Sequence, residues 1–261
     1  MYIKNRKLIA AAGLSLLLAS GQLAGAVLLH DAFSGTTLDL DKWNPGGHSS
    51  QNHSVSDGAL TLTNSGSNHR SSVHTKDQFN FHQSTYTFTV DVVSFDRVPG
   101  ISGFDNQWFS LAVGPAIDRL DRVPQNGFNF GFRWRADYAD GSQRLELLTE
   151  NSEGDTGISG ARISGIPSQI EFTLDPTSFS ISMMGATFLD GDFEGLSTMT
   201  GMHDLPGYDN YHLMLLHTMG GNPGASSVVI DSVTVIPEPS TYAAILGLLV
   251  SGVLLYRRRR R

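Results

Sequence analysis

The sequence predicts an all-β protein, an antiparallel β-sandwich built from many short strands. Three observations support that prediction. Apolar and polar residues alternate with a period of two in several separate runs, the pattern of strands with one buried face. Most of the 28 glycines and 10 prolines fall between those runs, where turns belong. Between the two ends of the chain, no run of comparable length repeats every 3.6 residues, as an amphipathic helix would.

The first 26 residues are predicted to be a secretory signal peptide, so they stand outside the fold. Three basic residues among the first seven precede an apolar run at 8–19, and Ala24-Gly25-Ala26 forms a small-residue cleavage site. The alternative is an uncleaved anchor helix, which the short apolar run disfavours. The β-sandwich domain is therefore predicted to span residues 27–235.

The composition excludes several classes of function. The chain has 18 Lys and Arg against 25 Asp and Glu, and eight of its basic residues lie in the two terminal segments, leaving 10 against 25. A domain this acidic does not bind nucleic acid by neutralising phosphates, and it has carboxylates to spare for cations. Because there is no cysteine, disulfides, a thiolate nucleophile and a zinc–thiolate site are excluded.

The alternating runs give the predicted strands in order. The clearest are residues 85–92, 128–135, 170–174, 179–183 and 229–235. A short turn at Asp175-Pro176 is predicted to join two of them into a hairpin. A Gly/Ser-rich stretch at 220–227 precedes the last strand. No internal repeat and no second domain are predicted.

Segments near both ends of the domain resemble the concanavalin A-like lectin and glucanase jelly roll. They read Leu28-Leu29-His30-Asp31-Ala32-Phe33-Ser34-Gly35, then Lys42-Trp43-Asn44, Val55-Ser56-Asp57-Gly58-Ala59-Leu60-Thr61-Leu62 and Ile230-Asp231-Ser232-Val233-Thr234-Val235. The resemblance is to laminarinase-type family 16 glycoside hydrolases and related sugar-binding modules. It implies a jelly roll whose first and last strands pair.

The chain departs from those hydrolases where they would cleave a glycosidic bond. Family members carry Glu-x-Asp-x-x-Glu on one concave strand, because retaining hydrolysis needs two carboxyl groups about 5 Å apart. By its place in the order of strands, the corresponding strand in this chain is 127–135, and it contains no carboxylate. The acidic segment 190–194 has a different spacing, and we interpret it as a solvated or cation-binding turn. No catalytic residue is therefore predicted, and the chain is not expected to be an enzyme.

The strand at 129–135 is the candidate for ligand contact. Its aromatic residues are predicted to face the core, so that Asn129, Arg133 and Arg135 face the opposite way. Trp108 and Tyr138 are candidates for stacking, with burial in the core as the alternative for Trp108. Fork-shaped donors beside flat aromatic surfaces suit sugars and uronates.

The nine histidines are not predicted to form a metal site. Five occur in polar Ser/Asn/Gly-rich segments without Asp or Glu at ligand spacing, so we expect solvated loop residues: His48, His53, His69, His74 and His82. His212 and His217 flank an apolar strand and are predicted at its rim.

The jelly-roll resemblance also implies a structural calcium ion, the one cofactor expected. In the family such an ion ties the first strand to the last through main-chain carbonyls and one aspartate. The matching positions are the main chain near Asp31 and Ala32, the carbonyl of Gly58 and the side chain of Asp231. Alternation along 229–235 places Asp231 on the apolar face, where an unpaired carboxylate is costly. Calcium would remove that cost, and a partner arginine is the alternative.

The last residues resemble the PEP-CTERM sorting signal of Gram-negative, exopolysaccharide-producing bacteria. Pro237-Glu238-Pro239-Ser240-Thr241 comes first, an uncharged apolar run continues through 241–256, and five arginines end the chain. The run is short for a membrane span of roughly 20 residues, but flanking residues and a thinner bilayer absorb the mismatch. The basic tail is predicted to stay cytoplasmic. The resemblance implies recognition by an exosortase, cleavage near Pro237–Ser240, and transfer to the cell surface. An unprocessed tail anchor is the alternative.

Together these features predict an exported, surface-sorted protein that binds polysaccharide without cleaving it, in an exopolysaccharide or biofilm matrix. The expected partners are signal peptidase and an exosortase during export, the inner membrane through the C-terminal helix before processing, and extracellular polysaccharide afterwards. The alternatives are a divergent glycoside hydrolase or polysaccharide lyase, and a structural matrix protein without a ligand.

Overall fold

The computed structural model describes residues 27–46, 53–65, 69–96, 107–114, 130–136, 143–150, 156–203, 211–219 and 225–238. The predicted signal peptide, the apolar run at 241–256 and the arginine tail lie outside the described residues, as do Asn129 and Tyr138. Nowhere in the described segments is there a helix with the length and apolar character that a membrane crossing needs.

The described residues form fifteen strands. In chain order they are β1 (Leu29–Asp31), β2 (Trp43–Gly46), β3 (His53–Ser56), β4 (Ala59–Ser65), β5 (His69–Thr75), β6 (Tyr86–Asp96), β7 (Gln107–Gly114), β8 (Phe130–Ala136), β9 (Gln143–Glu150), β10 (Thr156–Ile163), β11 (Gln169–Leu174), β12 (Ser178–Met184), β13 (Thr198–Met202), β14 (His212–Met219) and β15 (Ala225–Pro237). All their pairings are antiparallel, which confirms the predicted all-β antiparallel class.

The strands make two sheets with a shared core. Sheet I runs β13-β12-β11-β6-β15-β4-β3, and β1 pairs with β15 beyond the end of β4. Sheet II runs β10-β9-β8-β7-β14-β5-β2. Buried side chains from both sheets form one apolar cluster, in which Phe130 of sheet II stacks 5.9 Å from Phe172 of sheet I. Each fully buried phenylalanine of this kind contributes roughly 1.5–3 kcal/mol to folding.

Two hairpins show how the sequence sets the local structure. The predicted Asp175 turn joins β11 to β12, and the Asp175 carboxylate accepts hydrogen bonds from the backbone amides of Thr177 and Ser178 at 2.7 and 2.6 Å. Asp57 and Gly58 connect β3 to β4 with φ values of 54° and 77°. A two-residue turn with both φ angles positive matches the twist of the strands that it joins.

The first and last strands pair, as the jelly-roll resemblance implies. Leu29 lies opposite Val235, and Asp31 lies opposite Val233. On its other edge β15 pairs with β6, so this last strand lies inside sheet I.

Asp231 does not lie on the buried face of β15, and that prediction is wrong. The register with β6 shifts between Val229 and Ser232, which marks a β-bulge. The extra residue changes which positions face the core, so Ile230 and Val233 are buried while Asp231 is exposed. A period of two cannot be extended through a bulge.

Candidate ligand-binding face

The outer face of sheet II, the side turned away from the sandwich core, carries the three predicted ligand residues that the structure describes. Strand β8 buries Phe130, Phe132 and Trp134 in the core, as predicted. Arg133 and Arg135 alternate with them and therefore lie on the outer face. Trp108 on β7 pairs with Arg135 and shares that face, half-buried.

Strand register extends this face into two rows of polar residues. In the first row Trp108, Arg135, Arg144 and Arg162 are successive neighbours across β7, β8, β9 and β10. In the second row Ser110, Arg133 and Glu146 are neighbours across β7, β8 and β9. Adjacent members of a row are about 4.8 Å apart along the sheet.

Glu146 holds two of the arginines in place. Its carboxylate accepts a hydrogen bond from Arg133 Nε and another from Arg135 Nη1, the latter at 3.1 Å. The Glu146 side chain is only 6 % exposed. Gly160 on β10 leaves room for it, because a Cβ there would come within 2.8 Å of the Glu146 Cγ. Glu146 therefore fixes two guanidinium groups.

The catalytic arrangement of a retaining glycosidase is not found on the described part of this face. Among the strand side chains that the structure describes there, Glu146 carries the only carboxylate, and both of its oxygens are engaged by arginine. Retaining hydrolysis needs a second carboxyl group about 5 Å away.

Trp108 offers a flat surface beside these arginines. The guanidinium carbon of Arg133 lies 5.3 Å from the Trp108 ring centroid, within cation–π range. Within the described residues, the buried Trp108 Nε1 and Ser110 Oγ have no hydrogen-bond partner. Both atoms are enclosed in the folded chain, and a buried polar group without a partner is costly.

On β14 and β5 the same face of sheet II carries mainly apolar side chains and a pair of histidines. Ala112, Met214 and Leu216 form a small buried cluster there. His74 and His212 meet edge to face at 5.9 Å, and each is 3 % exposed. Burial, and secondly the neighbouring His212, lowers the pKa of His74 to about 4.

The two members of this pair differ in their partners. His212 Nδ1 donates to the Thr75 carbonyl at 2.7 Å, and the Gln78 side-chain amide lies 3.2 Å from its Nε2. Neither ring nitrogen of His74 has a partner among the described residues. The lowered pKa keeps the His74 imidazole uncharged in this buried position.

Three histidine predictions are wrong. His74 lies buried in β5 rather than in a solvated loop, and His212 and His217 are buried rather than at a rim. Strand β5 lies between β14 and β2, and β14 lies between β7 and β5, so the burial of these histidines comes from strand pairing that a local sequence pattern does not encode. His48 lies outside the described residues.

At the β10 edge, the acidic segment 190–194 contributes an ion pair. Asp190 accepts hydrogen bonds from the Arg162 backbone amide and from Arg162 Nε, each at 2.7 Å. The Arg162 guanidinium and amide lower the pKa of this carboxyl. Asp190 is thus a partner of Arg162 in a turn.

The three positions predicted to hold calcium meet at one junction of the backbone. Strand β4 pairs with β15 as far as Ile230, and β1 pairs with it from Val233. Asp31 ends β1, Gly58 lies in the turn before β4, and Asp231 lies on β15 between the two pairings.

The Asp31 carboxylate is already engaged at this junction. Trp43 Nε1 donates to its Oδ2 at 2.7 Å, and the Phe33 amide donates to its Oδ1 at 3.0 Å. The Lys42 ammonium lies 3.7 Å from the same Oδ1. No group of three His, Cys, Asp or Glu that could hold a metal ion occurs within the described ranges. Of the two carboxylates at this junction, Asp31 is therefore occupied by hydrogen bonds, whereas Asp231 is exposed on β15.

The first two residues of the predicted sorting motif belong to the sheet. Pro237 ends β15 opposite Tyr86, and the Glu238 amide donates to the Thr85 carbonyl at 2.8 Å. Thr87 Oγ1 donates to Glu238 Oε1 at 3.1 Å. Pro239, Ser240 and Thr241 lie outside the described residues.

Comparison with known proteins finds similarity in structure but not in sequence. No protein-family model matches the chain, and neither does any curated protein sequence. An endo-1,3-β-glucanase from Streptomyces sioyaensis superposes with a TM-score of 0.51 at 11% identity, over 81% of this chain and 96% of the glucanase.

Two sugar-binding proteins superpose comparably. Peanut lectin gives a TM-score of 0.53 at 10% identity, over 80% of this chain and 96% of the lectin. The carbohydrate recognition domain of Emp46p, in a potassium-bound form, gives 0.54 at 14% identity, over 80% of this chain and 95% of that domain. These similarities identify the two-sheet sandwich as the concanavalin A-like jelly roll that lectins and glucanases share.

Proposed function

We propose that this chain is an exported protein whose jelly roll binds polysaccharide on the outer face of sheet II without cleaving it. The observation that supports this best is the arrangement around Glu146. A buried carboxylate orients two arginines beside the flat ring of Trp108, and the described strands offer no second carboxyl group for hydrolysis. Oriented planar donors next to an aromatic surface suit sugar rings.

The fold is compatible with this proposal, but it occurs both in proteins that bind sugars and in proteins that cleave them. Proteins that superpose on the chain include lectins, which bind sugars, and glucanases, which cleave glucans. The glucanase similarity favours a second candidate, a divergent glycoside hydrolase or polysaccharide lyase. The third candidate is a structural matrix protein that has no ligand of its own.

A glycan panel separates the three candidates. The full chain, purified in detergent, would be incubated with neutral and acidic polysaccharides, and both binding and products would be measured. We expect saturable binding without products. New reducing ends or unsaturated sugars would contradict the proposal in favour of an enzyme, and the absence of both binding and products would leave the structural candidate.

A substitution assigns the binding to the proposed face. Trp108→Ala removes the stacking surface, which is worth roughly 1 kcal/mol or more, and we expect affinity to fall about fivefold to tenfold. Met202→Ala, on an exposed position of sheet I, is the matched control and should bind like the unsubstituted chain. Equal affinity for both variants would place the glycan elsewhere.

We also propose the route by which the protein reaches that glycan. A signal peptidase removes residues 1–26, the run at 241–256 anchors the chain in the inner membrane of a Gram-negative cell, and an exosortase cuts near Pro237–Ser240. The domain then joins the cell surface or a biofilm matrix. A structural calcium ion at the β1–β4–β15 junction, held by main-chain carbonyls and Asp231, belongs to the same proposal.

A further inference from the structure

We propose that one end of sheet I lies against the lipid bilayer while the chain is still anchored. This membrane-proximal end consists of the first residues of β1, β6 and β12 and the last residues of β11, β13 and β15. The inference rests on the export route proposed above, and it adds the orientation in which the sandwich stands on the membrane.

Strand register defines the membrane-proximal end. Because neighbouring strands are antiparallel, the start of one lies beside the end of the next. The residues paired there are Leu29 with Val235, Pro237 with Tyr86, Tyr86 with Leu174, and Ser178 with Met202. Six strands of sheet I therefore begin or end together.

The chain leaves this end of the sheet toward the predicted C-terminal membrane segment. The Glu238 amide donates to the Thr85 carbonyl at 2.8 Å, and the Glu238 carboxylate accepts a hydrogen bond from Thr87 Oγ1 at 3.1 Å. The predicted apolar run begins three residues later, at Thr241, and three residues reach at most about 10 Å. Because the chain is fixed to the sheet as far as Glu238, this end of sheet I must lie within that distance of the start of the run.

The N-terminal attachment lies at the same end. Val27 directly follows the predicted signal peptide, and the Leu28 amide donates to the Val235 carbonyl at 2.9 Å. Strands β1 and β15 are paired neighbours, so their backbones are about 4.8 Å apart. Until signal peptidase acts, both predicted membrane segments are joined to one end of the sandwich, and two attachments restrict its tilt more than one does.

The side chains at the membrane-proximal end suit a lipid surface. Val27, Leu28 and Met202 are exposed apolar residues there. Apolar side chains held at a bilayer surface are stabilised by entering the headgroup region. The carboxylates of Asp175 and Glu238, at the same end, already accept hydrogen bonds from the protein.

This orientation leaves the candidate ligand-binding face open. Strand ends, rather than a face of either sheet, then meet the bilayer. The two sheets pack face to face around one core, so the outer face of sheet II stands upright on the membrane. The anchored protein can therefore meet a glycan before it is released.

Fluorescent labels at single positions measure the orientation. The chain contains no cysteine, so one introduced cysteine carries one label. Met202→Cys reports on the membrane-proximal end, and Met184→Cys, at the opposite end of β12, is the matched control about 20 Å away along the strands. Both methionines are exposed, at 71% and 61%, so neither substitution disturbs the core.

The full-length variants would be reconstituted in vesicles of phosphatidylcholine and phosphatidylglycerol whose headgroups carry a quenching spin label. We expect the label at residue 202 to be quenched about twice as strongly as the label at residue 184, or more, because residue 184 stands about 20 Å further from the headgroups. Equal quenching at the two positions, or stronger quenching at 184, would overturn the inference.

A third label separates an oriented sandwich from one that swings on its attachment. Leu28→Cys places the label on β1 beside the last strand, next to both attachments. We expect quenching there to match that at residue 202. Strong quenching at residue 28 together with equal, weak quenching at 202 and 184 would overturn the inference.

Flotation of the vesicles distinguishes this inference from the route on which it rests. We expect the full chain to float with the vesicles. A chain that floats but shows equal quenching at 202 and 184 would overturn the orientation and leave the proposed anchor in place. A chain that stays behind would overturn both.

Discussion

His217 and His74 are both buried imidazoles with a pKa lowered to about 4, but their surroundings differ. His217 points into the core, where its Nε2 lies 2.8 Å from Ser226 Oγ and its Nδ1 donates to the Trp108 carbonyl at 3.2 Å. It also packs edge to face on Phe95. His74 has no described partner for either nitrogen and lies on the outer face of sheet II. His217 is therefore held by hydrogen bonds inside the core, whereas His74 is buried without one among the described residues.

The buried state of His217 predicts a loss of stability in mild acid. Burial lowers its pKa from 6.5 to about 4 in the folded state, so between these values the unfolded chain binds more protons than the folded one. The free energy of unfolding should therefore decrease as pH falls from about 6.5 to 4, by about 3 kcal/mol in total from this residue. Urea unfolding at a series of pH values measures the slope.

Two variants identify the source of that slope. His217→Asn should remove about half of it, because His74, whose pKa is lowered to about the same value, contributes the rest. His30→Gln, at an exposed histidine, should leave the slope as it is. A slope that is the same in His217→Asn as in the unsubstituted chain would show that another group carries the acid sensitivity.

At the scale of elements, β15 organises sheet I and carries an irregularity where three strands meet. It pairs with β6 along most of its length and with β4 and β1 in succession on the other edge. The bulge at residues 230–232 exposes Asp231 at the place where β4 pairing stops and β1 pairing has not begun. The junction therefore combines main-chain carbonyls with one free-standing carboxylate.

Calcium at this junction should stabilise the folded domain. An ion bound only by the folded state, at 100 times its dissociation constant, adds about 2.7 kcal/mol to the free energy of unfolding. Thermal unfolding with calcium and with excess chelator measures the difference, and Asp231→Ala should remove most of it. Asp192→Ala, an exposed aspartate elsewhere, is the control. Either no calcium-dependent shift or an undiminished shift in Asp231→Ala would exclude the site.

The strands could be predicted where each run keeps one buried face. Strands β6, β11 and β12 follow their alternation, and so does β8, whose pattern placed Arg133 and Arg135 on the outer face. Arg144 and Glu146 were missed because strand pairing, which no local pattern encodes, brings β9 beside β8. Asp231 was misplaced because a bulge adds one residue to the count. The burial of His74 depends on packing across the sheet, so its polar neighbours in sequence misled the prediction.

At the scale of the whole molecule, the predicted sorting motif overlaps the last strand. Glu238 is tied to Thr85 and Thr87 of the strand region that pairs with β15, so the first two residues of that predicted motif belong to the described fold. Cleavage after Glu238 would leave every described strand intact. A cut just upstream of Pro237 would remove the last residue pair between β15 and β6, Pro237 with Tyr86.

Processing should therefore yield a mature chain that keeps the complete sandwich. We expect protein isolated from the native cell surface to lack both the apolar run at 241–256 and the five arginines. Intact-mass measurement decides this, with protein from a strain without exosortase as the control. A surface-derived mass that still includes Arg257–Arg261 would leave a plain membrane anchor in place of a sorting signal.

The pairing of β1 with β15 also determines when the protein can fold. Leu29 meets Val235 across more than 200 residues of intervening chain, and β6 lacks one of its two neighbours until residues 225–237 exist. Such distant contacts make folding slow, because a long loop must close before they form. A ribosome that has made everything up to residue 224 has not yet made the middle of sheet I. Completion of the sandwich thus follows synthesis of the last strand, so the domain closes after translation of residues 225–237 rather than during it.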